Sequence, residues 1–409
     1  MKKRHKFYIV DDDRISINLM TRYLEKDGHT VSGNTSSIKA LQEIIAQQPD
    51  CVILDLMMPE IDGLELISLL RSKRSLDETK IVVVTAKPYE FDRKQAFSFG
   101  ADGYIVKPVN PKTFVAQLLR TIADQIELAF WGVHGTLPVP SKNTIKYGGN
   151  TSCVSLDFSD NTLFIFDAGT GIKSLSDSLV AENRHLIDAK IFISHPHWDH
   201  INAMPFFAPL FKQGNEIEIC GPSHGDITME QMISGQMDGI YFPIKIKEFS
   251  ARISFRDIKE ETLEICGKTL KTMLLNHPGY CLGYRVEYKG RSICYITDNE
   301  LYPTDSQSFN RFYRKRLINF IKGADVLITD TTYQDSEYKN KIGWGHSAVG
   351  QVANLADKAA VKTLYLFHHD TDQTDADVDL KLETAQALLA KKKSSTRCVA
   401  PKEKERFMI

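Results

Sequence analysis

The sequence has no long apolar run, no cysteine pair at redox or metal-binding spacing, and almost no net charge. Each absence removes a class of function. No apolar stretch approaches the roughly 20 residues that a helix needs to cross a bilayer, so no membrane association is expected. The opening, MKKRHKFYIVDDD, has four apolar residues before three acids and does not read as a signal peptide. Lys and Arg number 51 against 52 Asp and Glu, a formal charge of -1, so bulk charge gives no case for nucleic-acid binding. Cys51, Cys153, Cys220, Cys266, Cys281, Cys294 and Cys398 are odd in number, scattered and without a CxxC. They read as reduced, mostly buried thiols of a cytoplasmic protein, not as a disulfide framework or zinc ribbon. A Gly/Ser or Pro-rich linker, a repeat and a low-complexity tract are also missing. Yet 409 residues exceed one ordinary core and call for two or three domains.

Two parts with different patterning are present. Residues 6–125 alternate short all-apolar segments (KFYIV, CVILD, IVVVT, YIV) with stretches of helical spacing. The first such helix is expected to carry Ile15, Leu19, Tyr23 and Leu24 and to close at Gly28. Later ones carry Ile38, Leu41, Ile44 and Ile45, then Leu66, Ile67, Leu69 and Leu70, and finally Phe114, Leu118 and Ile122. Apolar strands between amphipathic helices mean a parallel sheet covered on both faces, and five β/α units fit a doubly wound domain. After TIADQIELAFWG the pattern changes. Residues 127–300 are strand-rich, and helices return at 306–322, 347–360 and near 380–392. The boundary is placed near residue 125, with a short, stiff connection.

In open parallel sheets, ligands gather at the carboxyl ends of strands. There the first part places Asp11 and Asp12, then Asp55, Thr85 and Lys107. Converging carboxylates repel unless a cation is present, and oxygen-only ligands favour Mg²⁺. A hydroxyl and an ammonium opposite them suit a phosphoryl group. Polar loops after strands explain one or two of these residues, not five at four strand ends. With VDDD, LDLMMPEIDG, VVVTA and GADGYIVKP, residues 5–125 resemble the receiver domain of bacterial response regulators. The resemblance implies that Asp55 accepts phosphate from a sensor histidine kinase. It implies that Asp11, Asp12, Asp55 and the carbonyl of Met57 hold Mg²⁺, that Thr85 and Lys107 sense the phosphate, and that Tyr104 is an aromatic switch.

The second part contains KIFISHPHWDHINA, three imidazoles and a carboxylate within six residues after a strand. Imidazole and carboxylate together suit Zn, Mn or Fe in catalytic sites. His195 and His197 can reach one metal, and Asp199 and His200 a second. Four ligands do not fill two metals, so others lie downstream: His277 in LLNHPG, Asp298 in ICYITDNE, and His368 in LYLFHHD. His277 by itself would be read as a hydrogen-bonded core residue. His369 competes with His368, although strand alternation favours the first of the pair.

HxHxDH after a strand resembles the metallo-β-lactamase fold, over about residues 127–400. The implied architecture is an αββα sandwich at 126–409 behind a flavodoxin-like (βα)5 receiver at 1–125. The resemblance implies that His195, His197 and His277 hold one metal and Asp199, His200 and His368 the other, with Asp298 bridging. Zinc is the first expectation, manganese or iron the alternatives. GWGHSAVGQVANLADKAAVKTLYLFHHD is similar to the ribonuclease Z and cyclic-phosphodiesterase branch. There His346 would stabilise charge or protonate a leaving group and Asp330 would orient it. FWGVHGTLPVP and YGGNTSCV also look like a subgroup of these hydrolases, in which the place of His134 is more often Arg. FDAGTG, with Asp167, matches a structural turn of the fold rather than a ligand.

The expected function is a two-component regulator whose output is a dinuclear phosphodiesterase governed by Asp55. A lactone or thioester hydrolase on the same metals, or a non-hydrolytic di-iron sensor, are the alternatives. The HS histidine weighs against the first, and a histidine at 197 against the second. The expected substrate is a small nucleotide or cyclic nucleotide. A homodimer is compatible with the pattern, and transfer-RNA processing is weaker because no Gly/Pro-rich basic arm is visible. Residues 223–253 are expected to wall the cleft as a compact insertion with YFP in its second half.

Overall fold

The computed structural model describes residues 3–409 apart from Asn183, His185 and Tyr241. Tyr241 of the YFP triplet thus lies outside the described residues. The N-terminal unit is built from β1 (Lys6–Val10), β2 (Thr30–Asn34), β3 (Cys51–Leu54), β4 (Lys80–Thr85) and β5 (Gly103–Val106). They form one parallel sheet in the order β2-β1-β3-β4-β5. Helices α1 (Arg14–Lys26), α2 (Ser37–Gln47), α3 (Gly63–Arg71), α4 (Glu90–Ser98) and α5 (Phe114–Ile122) cover it. Every residue of β3 is buried, as a strand covered on both faces requires. Asp13 caps α1 by accepting from the Ile15 and Ser16 amides, and Gly28 ends the turn after it with φ +94°.

One expected face is half right: Leu24 is buried and Tyr23 packs against the core, but its other two residues do not. Ile15 and Leu19 are exposed, and α1 packs through Ile17, Met20 and Leu24. The helix carries apolar residues on two sides, and spacing alone selected a stripe that straddles the core and the solvent. The last helix of this unit spans its apolar pattern, Phe114–Ile122.

The remainder is a sandwich of two seven-stranded sheets. The first contains β6 (Glu127–Gly132), β7 (Cys153–Asp157), β8 (Thr162–Phe166), β9 (Asp188–Phe192), β10 (Glu216–Gly221) and β11 (Arg252–Asp257). The second contains β12 (Thr262–Ile265), β13 (Lys268–Leu274), β14 (Leu282–Tyr288), β15 (Arg291–Ile296), β16 (Val326–Asp330), β17 (Thr363–Phe367) and β18 (Arg397–Val399). The chain returns to the first sheet as β19 (Arg406–Met408), antiparallel to β6. Phe130, Phe164, Phe166, Phe192, Tyr284, Tyr295 and Phe367 fill the space between the sheets. Buried aromatics of about 150–250 Å² each dominate such a core. Separate apolar clusters lie under the helices on each outer face, which makes four layers. The returning helices are Arg311–Ile321, Val349–Lys358 and Asp375–Lys391. Asn310 caps the first, so it starts five residues later than the apolar pattern suggests. Six cysteines are buried and Cys266 is exposed, all of them free thiols. Among the described residues no helix is long and apolar enough to cross a membrane.

Only Ala123, Asp124, Gln125 and Ile126 join α5 to β6. The Asp124 carboxylate pairs with Lys80 at 3.0 Å and Lys289 at 2.6 Å, while its carbonyl accepts from Arg291 at 2.6 Å. Further contacts join α4, β5 and α5 to the sandwich. Lys94 pairs with Glu216 at 2.7 Å, and Arg120 with Asp157 at 2.8 Å. The Asn161 amide donates to the Tyr104 carbonyl at 2.5 Å.

Candidate functional site

The N-terminal site lies where expected, at the carboxyl edge of the parallel sheet. The carboxylates of Asp11, Asp12 and Asp55 come within 4.8 Å of one another. Lys107 Nζ reaches Asp11 at 2.7 Å and Asp55 at 2.6 Å. Burial raises the Asp11 pKa and Lys107 opposes that; the two carboxylates in turn raise the Lys107 pKa against burial. Met57 donates its amide to Asp55 at 3.1 Å. Thr85 is fully buried at the end of β4, and Tyr104 is buried with its hydroxyl on the Lys87 carbonyl at 2.9 Å. Oxygen donors on one side and an ammonium on the other fit a hard divalent cation beside a phosphoryl group.

The second site is assembled from both sheets of the sandwich. The turn after β9 supplies His195, His197, Asp199 and His200. Residues just past β13, β15 and β17 supply His277, Asp298 and His368. Asp298 stands between two groups: His195 and His277 Nε2 lie 3.6 Å from one of its oxygens, His368 and His200 Nε2 3.1 and 3.3 Å from the other. Asp199 Oδ2 is 3.1 Å from His200 Nε2 and 3.2 Å from His368 Nε2.

The outer nitrogens determine what the inner ones present. His277 Nδ1 faces the Gly345 carbonyl at 3.0 Å, and His200 Nδ1 faces Asp167 at 2.7 Å. Both partners only accept, so these nitrogens carry hydrogen. Ser194 Oγ donates to Asp167 at 2.9 Å and therefore accepts from His195 Nδ1 at 3.1 Å. Thr332 Oγ1 donates to Asp330 at 2.7 Å and accepts from His368 Nδ1 at 3.2 Å. These tautomers, inferred from the partners, leave four Nε2 lone pairs aimed inward. His197 Nδ1 joins them, 2.8 Å from His195 Nε2 and 3.3 Å from His277 Nε2. His200 Nε2 is close to two carboxylates yet in hydrogen-bond geometry with neither. Burial opposes charge on His200, but Asp199, Asp298 and Asp167 favour positive charge at that position, whether it is a proton on the ring or a cation taken in exchange for it. Lone pairs and carboxylates converging in a buried space are the donor set of divalent transition metals, and the residues present fit two of them.

Beside this centre, His346 Nδ1 contacts Asp330 at 2.8 Å and lies 4.0 Å from Asp298. Burial opposes its charge, but Asp330 raises its pKa to about 9. Asp330 is fixed by the Asn299 and Thr332 amides at 3.1 and 2.9 Å. His369 turns away from the centre, with Nδ1 2.8 Å from the buried Lys381 ammonium and its ring 5.6 Å from that of His134. The His368 ring, not that of His369, therefore faces the carboxylates.

Two supporting residues escaped the sequence reading. Asp167, taken as a turn residue, also orients His200 and accepts from Tyr295 at 2.7 Å. Its backbone adopts a left-handed φ of +60°, which the sequence does not display. Glu300 accepts from the amides of Gly343 and Gly345, both at 2.8 Å, and so fixes the loop before His346. The 223–253 segment forms the helix Met229–Gln236 and packs Met229 and Ile233 into the outer core. It approaches the site where the His224 ring lies 5.9 Å from Tyr280.

Comparisons with known proteins match the two units separately. A family model described as "Response regulator receiver domain" matches residues 7–119. Residues 162–369, just over half the chain, match "Beta-lactamase superfamily domain". The transcriptional regulatory protein ResD of Bacillus subtilis (strain 168) is 30% identical over 142 residues, 35% of this chain and 56% of that protein. SrrA of Staphylococcus aureus (strain NCTC 8325 / PS 47) is 35% identical over 123 residues, 29% of this chain and 50% of that protein. The chain thus spans about half the length of these relatives. The crystal structure of the metallo-beta-lactamase fold protein YhfI from Bacillus subtilis shares the fold, with TM-score 0.52 and 18% identity, over 70% of this chain and 100% of that one. The protein joins a response-regulator receiver domain to a metallo-β-lactamase-fold domain, and it belongs to the beta-lactamase superfamily.

Proposed function

We propose that this protein is a two-component response regulator whose output domain is a dinuclear metal-dependent phosphodiesterase, with the boundary between residues 125 and 126. A cognate histidine kinase would phosphorylate Asp55, with Mg²⁺ held by Asp11, Asp12, Asp55 and the Met57 carbonyl. The observation that carries the hydrolytic reading is the His346–Asp330 pair at 2.8 Å beside the seven-residue centre.

His195, His197 and His277 would hold one cation, Asp199, His200 and His368 the other, and Asp298 both. When bound, such cations supply Lewis-acid charge and lower the pKa of water. The chain's own residues supply the rest. Asp167, Ser194, Thr332 and the Gly345 carbonyl hold four imidazoles in one tautomer. His346, kept protonated by Asp330, would stabilise charge on phosphorus or deliver the Nε2 proton to the leaving oxygen. A thioester releases a weakly basic thiolate, and neither it nor a lactone carries the anionic phosphoryl group of a diester, so this charged imidazole favours a phosphodiester.

Regulation would pass through the contacts of α4, β5 and α5 with the sandwich. Thr85 precedes α4, and Tyr104 links the intervening Lys87 to Asn161 across the interface. Metal content by mass spectrometry and turnover of bis(p-nitrophenyl) phosphate, compared with a lactone and a thioester, test the output. Two metals with preferential diester turnover are expected. Two irons without turnover of any ester would instead indicate a sensor module.

A further inference from the structure

The loops that bring side chains to the centre carry a second kind of residue. Leu137, Trp198, Tyr280 and Trp344 are 59%, 81%, 58% and 60% exposed. Exposed apolar residues scattered singly need no explanation. These four are not scattered. Trp198 sits between His197 and Asp199. Tyr280 follows His277 by three positions, and Trp344 precedes His346 by two. Leu137 follows Thr136, whose amide donates to Asp199 at 2.8 Å.

Their backbones are held by the bonds that hold the imidazoles. Trp344 lies between Gly343 and Gly345, both fixed by Glu300, and the Gly345 carbonyl also receives His277. Tyr280 has φ +58°, a conformation costly for a bulky residue, so its surroundings impose that direction. The Lys341 ammonium lies 4.1 Å over the Trp344 ring and 5.6 Å over Tyr333, whose ring is 6.1 Å from that of His346. Flat aromatic faces and a cation on the same loops that carry the centre's residues are suited to a planar, electron-rich ring attached to a phosphate held there.

We propose that Trp198, Tyr280 and Trp344 form a stacking cradle for the nucleobase of a small nucleotide phosphodiester. This inference rests on the phosphodiesterase reading and deepens it. Stacking on aromatic side chains tolerates any base, because every base has a π face. The cradle would therefore distinguish a nucleotide from a base-free sugar phosphate, rather than one base from another.

Tryptophan fluorescence tests it at equilibrium. The sequence has three tryptophans; Trp131 is buried in the sandwich, and the other two are in the proposed cradle. AMP should quench emission saturably, whereas ribose 5-phosphate should not. Trp198→Ala and Trp344→Ala should each weaken AMP binding about tenfold, within the range of base–aromatic stacking. In turnover, adenosine 2′,3′-cyclic phosphate should have a lower KM than the cyclic phosphate of methyl riboside. The two substitutions should remove that difference. Equal KM values in the unaltered protein, or AMP quenching that survives both substitutions, would overturn the cradle. Loss of turnover on both diesters, with AMP binding still dependent on the tryptophans, would sink the phosphodiesterase reading and leave the cradle standing.

Discussion

Arg93 of α4 donates to Asp188 at 3.0 Å, and Asp188 is the first residue of the strand that runs into the histidine cluster. Both side chains are largely buried. Breaking such a pair from one side leaves a buried charge, although Lys190, also 3.0 Å from Asp188, limits the cost here. If the receiver controls the output through this contact, Arg93→Ala should abolish most of the change in activity caused by BeF₃⁻ with Mg²⁺. Typical coupling of about 1–3 kcal/mol corresponds to a response of roughly 5–150-fold in the unaltered protein. A full response in Arg93→Ala would place the control elsewhere. A Gly/Ser insertion after Gln125 should weaken the response for the related reason that the connection is only four residues long.

Acetyl phosphate should modify Asp55 alone. Its carboxylate, unlike those of the other acids of that edge, follows β3, the central strand of the sheet. Phosphate incorporation should vanish in Asp55→Asn; undiminished labelling there would reject the assignment.

Asp298→Ala should lose both metals and activity together, because one carboxylate faces imidazoles of both groups. Metal analysis decides this: two metals retained with normal turnover would show that Asp298 is not the bridge.

His346→Ala should retain both metals and the fold while kcat falls about 10²–10⁴-fold, the usual range for one proton-transfer or charge-stabilising group. Its pKa is raised to about 9, so the protonated form persists at neutral pH and is lost as pH rises through that value. Turnover of diesters with alkyl leaving groups should therefore decline above about pH 9, and nitrophenyl diesters should show the decline less. Identical profiles would exclude general-acid action by His346.

The interface has its own pH signature. Burial opposes the charge of Asp157, but Arg120 and Arg184 lower its pKa to about 2. A depressed carboxylate stabilises the folded form above its unfolded pKa of about 3.9, and that contribution fades as pH falls toward the folded value. Stability measured for the protein and for Asp157→Asn should differ by a constant amount above about pH 4, and the gap should narrow toward pH 2. A gap independent of pH would mean that the pair with Arg120 and Arg184 does not stabilise the folded protein.

Most of the centre could be read from the chain because parallel strands deliver their chemistry at one end. His195, Asp298 and His368 each follow a buried apolar strand, and Asp11, Asp55 and Lys107 do the same in the first unit. Asp167 and Glu300 were not legible as positioning groups, since their partners lie 27 to 128 residues away in sequence. The packing face of α1 failed for a different reason: Ile15 and Leu19 mimic a core stripe, while Ile17, Met20 and Leu24 provide it. Interface pairs such as Arg93 with Asp188 leave no periodic trace, because charged residues at surface positions are common whether or not they are paired.

The centre draws His195, His197, Asp199 and His200 from one sheet and His277, Asp298 and His368 from the other. Bound cations would then act as rivets through the sandwich. A ligand that binds only the folded form stabilises it by mass action, by about 2.7 kcal/mol at a hundredfold excess over Kd. A chelator would therefore work as a mild denaturant, lowering the melting temperature of the sandwich while leaving the receiver's own sheet intact. Scarcity of metal would remove the output by loosening its scaffold, a second form of control beside the proposed phosphorylation of Asp55 and independent of any kinase.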